Sequence, residues 1–231
     1  TVACLKNSMK KAGIDISVLL PIATKPEQTA GINRWVASVQ NENIIAFGTI
    51  HPDYPDWKSE IEWLKETGIK GVKFHPDYQN FFVDDRKVYP IYEALAEAGM
   101  IMIFHAGVDL GYPAPYRCPP CRLRNVLDSF PGSLIIAAHM GGYKYTYQVE
   151  KYLVGKDIYF DTSYSFESLG NDRMENLIKH HGADRILFGT DSPWKDQQKE
   201  VSNIRSLNLK EDEKEQILGG NAARLLKLPN A

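Results

Sequence analysis

Apolar residues fall along this chain in two alternating rhythms. Short, nearly unbroken runs recur at residues 16–20, 44–50, 71–74, 100–104, 134–138, 158–160 and 186–188. Runs without polar alternation suit parallel strands buried on both faces. Between them the spacing changes to a helical period. Val2, Leu5, Met9 and Ala12 share one face, as do Ile32, Trp35, Val36 and Val39, and again Val88, Ile91, Tyr92, Leu95 and Ala98. Gly13, Gly68 and Gly99 each stand between a helical segment and the next run, with Gly182 a looser instance. Glycine suits the left-handed residue that closes a helix. Successive runs end about 28 residues apart, the size of one βα unit.

Seven such units fit either a doubly wound sheet or a barrel. No Gly-x-Gly-x-x-Gly follows the first run, and no phosphate loop occurs. Polar residues instead follow many of the runs, and a barrel gathers all those ends around one mouth. The expected fold is α/β, a TIM-type (β/α)8 barrel, with strand 1 lacking in this sequence and residues 1–231 forming a single barrel domain. Composition narrows the classes further. The chain is 43% hydrophobic, and its net charge of −2 shows no basic excess, so no nucleic-acid partner is expected. No apolar run approaches the ~18 residues of a membrane span, so no membrane partner is expected. Three cysteines and an amphipathic start without a signal core point to the cytoplasm.

Chemistry-capable residues stand where the runs end. His51, His75, His105 and His139 each close a run, and Asp161 and Asp191 close two others. His180 and His181 end a helix and read as structural. Several His and Asp residues around one mouth point to metal chemistry, because neutral imidazole and carboxylate are common ligands of zinc and similar ions. Strand alternation puts Lys73 and His75 on one face, facing substrate or serving structure. Arg117, in a proline-rich loop, is either a substrate-carboxylate clamp or a surface residue. Trp194 is either a pocket wall or a core residue. Cys118-x-x-Cys121 lacks the further ligands of a zinc knuckle and any thioredoxin-like context.

His105-Ala106-Gly107, His139-Met140-Gly141-Gly142 and Gly189-Thr190-Asp191-Ser192-Pro193, with the closing Gly220-Asn221-Ala222-Ala223-Arg224-Leu225-Leu226, resemble the signatures of the amidohydrolase superfamily. More narrowly they resemble its amidohydrolase 2 group of metal-dependent TIM-barrel enzymes. The resemblance implies one divalent metal ion, zinc first and manganese second. His105 and Asp191 would be ligands, Asp191 also a proton acceptor, and His139 a group that orients or protonates substrate. The candidates for substrate contact remain Lys73, His75, Arg117 and Trp194, each with its structural alternative. The resemblance also implies a first strand bearing His-x-His, a pattern found nowhere in this sequence, whose place would be upstream of Thr1.

Three functions are compatible with these residues. The first is a metal-dependent hydrolase whose activated water attacks an amide, ester or lactone. The second is a non-oxidative decarboxylase of a small carboxylic acid on the same site. The third is a metal-free barrel acting as a binding protein. The expected partner is a small molecule with a carboxylate, and a homodimer is the expected assembly.

Overall fold

A computed structural model of the protein describes residues 1–228. Every predicted run overlaps a strand. In chain order these are β1 (Ser17–Leu19), β2 (Ile44–Ala46), β3 (Gly48–Thr49), β4 (Gly71–Phe74), β5 (Ile101–Phe104), β6 (Ile135–Ala137), β7 (Tyr159–Asp161) and β8 (Ile186–Leu187). Residues 44–50 form one path interrupted at Phe47, so eight strands occupy seven positions. All pairs are parallel and follow sequence order. β1 pairs with β2, and β3 to β8 form one six-stranded sheet. Phe47 joins the two sheets by donating its N–H to the Leu19 carbonyl at 3.0 Å.

The helices between the strands are α1 (Val2–Ala12), α2 (Thr29–Val39), α3 (Trp57–Glu66), α4 (Tyr89–Glu97), α5 (Pro120–Ser129), α6 (Thr146–Tyr152), α7 (Phe166–His181) and α8 (Gln197–Ser206). Gly13, Gly68 and Gly99 adopt φ of +67°, +76° and +66°, as their position after a helix predicts. The periodic face of α2 is narrower than expected. Val36 is fully buried, whereas Trp35 is 52% exposed at the edge of the barrel opening. Among the described residues no helix is long and apolar enough to cross a membrane.

Alternation along the strands sorts the core into two layers. Val72, Phe74, Met102, Phe104, Ala137, Phe160 and Ile186 belong to the large cluster beneath the helices, with Ile61, Leu64, Leu95, Leu123 and Ile178. Ile101, Ile103, Ile136 and Leu187, from the same strands, form a smaller inner cluster with Phe47 and Leu226. These inner residues line a cavity of about 880 Å³. The cavity extends past β1 and β8, and among the described residues neither strand has a second neighbour in a sheet. Lys73 occupies an inner position on β4, in register with Ile103. Asp161 takes the corresponding inner position on β7, in register with Leu187, so strand alternation delivers a cation and an anion to this inner layer.

At the mouth, buried Gln79 ties three strand ends together. Its amide donates to the carbonyls of Ala23 and Ile50 at 3.1 and 3.0 Å, and its oxygen accepts the His75 N–H at 2.9 Å. The segments that carry the candidate residues are therefore anchored to the sheet through backbone groups.

Candidate functional site

The turns after β5, β6 and β7 bring a hydrogen-bonded series of side chains together. Gly107, at φ +94°, lets the turn after His105 close onto the segment after β6, because a Cβ there would lie 2.2 Å from the Tyr143 nitrogen. Asp161 at the end of β7 accepts the His139 N–H at 3.1 Å, the Ser163 N–H at 3.0 Å and the Ser163 hydroxyl at 2.5 Å. His139 Nδ1 lies 3.0 Å from both the Ser163 carbonyl and the Ser163 hydroxyl. A carbonyl can only accept, so Nδ1 carries the proton. In the neutral ring Nε2 is then an acceptor, and it receives the Nδ1–H of His105 at 3.0 Å. That bond leaves His105 Nε2 as a bare lone pair. It is buried and has no hydrogen-bond partner among the described residues.

A second arm comes from the turn after β4. Tyr78 donates its N–H to His75 Nδ1 at 3.3 Å, which places the proton of neutral His75 on Nε2, 3.3 Å from Asp109 Oδ2. The His75 ring is stacked between Tyr78 and His105, with centroids 3.7 and 4.0 Å away. Burial pushes His75 down to about 4 and His105 well below its ordinary range, so both rings are neutral at neutral pH. The hydrogen bond from His75 holds the Asp109 carboxyl below its usual range, and the Gly111 N–H adds to this at 2.7 Å. His75, His105 and Asp109 each bring a possible metal-ligand atom within 4.8 Å of the others.

The remaining predicted residues take different positions. Lys73 is buried and has no hydrogen-bond or ion-pair partner among the described residues, and desolvation lowers its pKa. It lines the cavity with His139, Asp161, Ser163 and Asp191. Asp191, at φ +55°, is exposed on the cavity rim and lies outside the His75, His105 and Asp109 group. Trp194 is 73% exposed, which excludes the core reading, and its N–H donates to the Asp191 carbonyl at 2.8 Å. Arg117 is neither free nor simply superficial. Its guanidinium donates to Asn80 at 2.6 Å and faces Asp77 at 3.6 Å, bracing the loop after β5 against the turn after β4.

The structural histidines behave as expected. His181 is buried, stacks on Phe160 at 3.9 Å and bonds the Ile158 carbonyl at 2.8 Å. His180 bonds the Asn176 carbonyl on its own helix. His51 accepts the Asp53 N–H, much as His75 accepts that of Tyr78. Cys118 and Cys121 are free thiols, and burial pushes the Cys118 thiol well up, away from reactive thiolate. Sequence reasoning assigned no role to Asp109, Asp161 or Ser163. The signal for the first is the spacing His105-x-x-x-Asp109, and for the others the segment Asp161-Thr162-Ser163 that directly closes a strand.

Comparison with known proteins follows the geometry. A gamma-resorcylate decarboxylase of Polaromonas sp. strain JS666 is 31% identical over 120 residues, covering 45% of this chain and 37% of that relative. The chain is thus matched to little more than a third of the relative's length. The 5-carboxyvanillate decarboxylase of Novosphingobium aromaticivorans, solved with manganese and 4-hydroxy-3-methoxy-5-nitrobenzoic acid, superposes with a TM-score of 0.81 at 18% identity. That superposition covers 97% of this chain and 80% of the other. An uncharacterized TIM-barrel protein of Bordetella bronchiseptica gives 0.79 at 23% identity, covering 98% and 83%. These likenesses establish the barrel fold. Residues 14–228 match the amidohydrolase family, and the chain belongs to that family.

Proposed function

We propose that this chain is a metal-dependent, non-oxidative decarboxylase of small hydroxylated aromatic acids. The observation that carries the reading is Lys73, a buried lysine without a side-chain partner among the described residues, which opens on a cavity with a polar end and apolar walls. Leaving an ammonium buried and unpaired is costly, so the site gains when an anionic ligand group reaches it. The decarboxylase relatives support the same direction, and their reaction corresponds to the second of the three functions compatible with the sequence rather than to hydrolysis.

The chemistry sets the requirements. The bond between ring carbon and carboxylate breaks, its electron pair stays on the ring carbon, and a proton takes the place of the departing carbon dioxide. Lys73 holds the carboxylate or the oxygen beside it. Arg117, already engaged by Asp77 and Asn80, gives up the clamp role expected from the sequence. The inner apolar residues Ile103, Ile136 and Leu187 receive the ring face and keep water from the reacting carbon. Asp191 and His139, which line the same cavity, are the acid–base groups, and exposed Trp194, whose N–H donates to the Asp191 carbonyl, stands beside them as a substrate contact.

The residue that fits a metal ligand is His105, whose Nε2 is buried without a hydrogen-bond partner among the described residues. When bound, a divalent ion supplies Lewis-acid polarisation of the substrate oxygens. Manganese is preferred to zinc here because the structurally similar decarboxylase holds manganese. One catalytic unit spanning residues 1–231, a homodimer and a cytoplasmic location belong to the same proposal.

The test follows two products. The chain, supplied with Mn²⁺, is incubated with hydroxylated benzoic acids such as gamma-resorcylate, and with amide, ester and lactone substrates. Carbon dioxide released in equal amount to the decarboxylated phenol is the expected result. A new carboxylate or amine from the second set, without carbon dioxide from the first, restores the hydrolase reading. Binding of the acids without turnover of either set supports the binding-protein reading.

A further inference from the structure

We infer that Gln197 is a specificity-determining residue, whose amide hydrogen-bonds a ring hydroxyl lying opposite the carboxylate of a bound aromatic acid. The inference deepens the decarboxylase reading above and rests on its placement of the carboxylate at Lys73. It starts from an unpaired polar group. Gln197 is 3% exposed and lines the same cavity as Lys73. Its Oε1 is buried with no hydrogen-bond partner among the described residues. An amide oxygen that has given up water and gained no donor is costly, so the site gains when a ligand supplies one.

The chain around Gln197 fixes its place. Asp196 caps α8 by accepting the Lys199 N–H at 2.9 Å, and Gln197 is the first residue of the helix. From there α8 turns one face to the cavity, with Gln197, Val201 and Arg205 at helical spacing. Val201 is apolar, and Arg205 is engaged by Glu215 at 2.8 Å. Gln197 is therefore the polar group of that face with an unsatisfied buried atom. Strands β4 to β8 pair in sequence order, and residues from all five line the cavity. Lys73 enters from one end of this arc, and α8, which follows β8, lies beyond the other. A ligand held by Lys73 at its anionic end presents its far edge to Gln197, with Ile103, Ile136 and Leu187 against the ring between them. In a benzoic acid that far edge is the position para to the carboxylate. A phenolic hydroxyl both donates and accepts, so it pairs with either end of the amide. Hydrogen or halogen at that position leaves the amide unsatisfied, and a site built around a substrate hydroxyl rejects such analogues.

The experiment measures binding by calorimetry on the full chain supplied with Mn²⁺, using 2-hydroxybenzoate and its 4-hydroxy and 4-chloro derivatives. Wild type is expected to bind the 4-hydroxy acid about tenfold more tightly than either of the others. In Gln197→Leu, which removes the amide and keeps much of the volume, that preference falls below about twofold, while 2-hydroxybenzoate binds within about twofold of its wild-type affinity. Gln197→Asn withdraws the amide from the cavity, loses the preference likewise, and serves if Gln197→Leu does not fold. Equal wild-type affinity for the 4-hydroxy and 4-chloro acids overturns the inference, and so does a preference that survives in either variant. Carbon dioxide release from the same preparations separates the two readings. A 4-hydroxy preference that depends on Gln197, without carbon dioxide from any acid, defeats the decarboxylase and leaves the contact standing. Carbon dioxide release with no such preference does the reverse. A chain that binds none of the three acids overturns both.

Discussion

Lys73 shows how one side chain can cost stability and still serve the site. Its ammonium is desolvated, and its neighbours Asp161 and Asp191 compensate only through space. Lys73→Met keeps the length and the apolar stem while removing the buried charge. The variant is expected to gain about 1 kcal/mol, or about 2–4 °C in melting temperature, and to lose carbon dioxide release by about a hundredfold. Thermal melting and the turnover assay read the two effects separately. A destabilised variant with full turnover would remove Lys73 from the site. The histidine signatures were legible residue by residue, because strand-end placement needs only local sequence. Asp109 was not. Its partner His75 lies 34 positions away and meets it only after β4 and β5 pair.

At the scale of elements, the decisive features are strand alternation and the crosslinks between strand ends. Asp161 receives three donors, and through them it binds the end of β6 to the end of β7 and sets the His139 ring. Asp161→Ala leaves those donors buried and unsatisfied, at a cost of about 3 kcal/mol. A shift of the urea midpoint at unchanged slope would report it, and a change below about 1 kcal/mol would show that water replaces the carboxylate. The apolar runs and the glycine stops predicted strands and helix ends well, since both follow from local backbone preference. The runs could not say which alternate residue faces the helices and which the interior. Nor could the helical period of α2 show that Trp35 reaches the barrel opening, because that depends on what packs over the helix.

For the whole molecule, the buried histidines make stability depend on pH. His181 sits far from the mouth, packed on Phe160, and burial brings its pKa down from 6.5 to about 4. The unfolded chain therefore binds a proton that the folded chain refuses between those values. The contribution of His181 is complete above about 6.5 and disappears as pH falls towards 4, at about 1.4 kcal/mol per pH unit. Chemical denaturation at a series of pH values should show stability falling through this window, more gently in His181→Gln. A flat profile would mean that the ring is not held neutral. The family, the parallel architecture and the order of the strands follow from sequence alone, because each rests on local period, local punctuation and short motifs. Only the tertiary structure decided that Arg117 braces a loop, that Trp194 is exposed, that Lys73 is the unpaired cation of the cavity, and that His105 turns a bare nitrogen towards Asp109. Each of those outcomes depends on which distant groups share a buried space, where an unpaired charge or lone pair acquires its energetic weight.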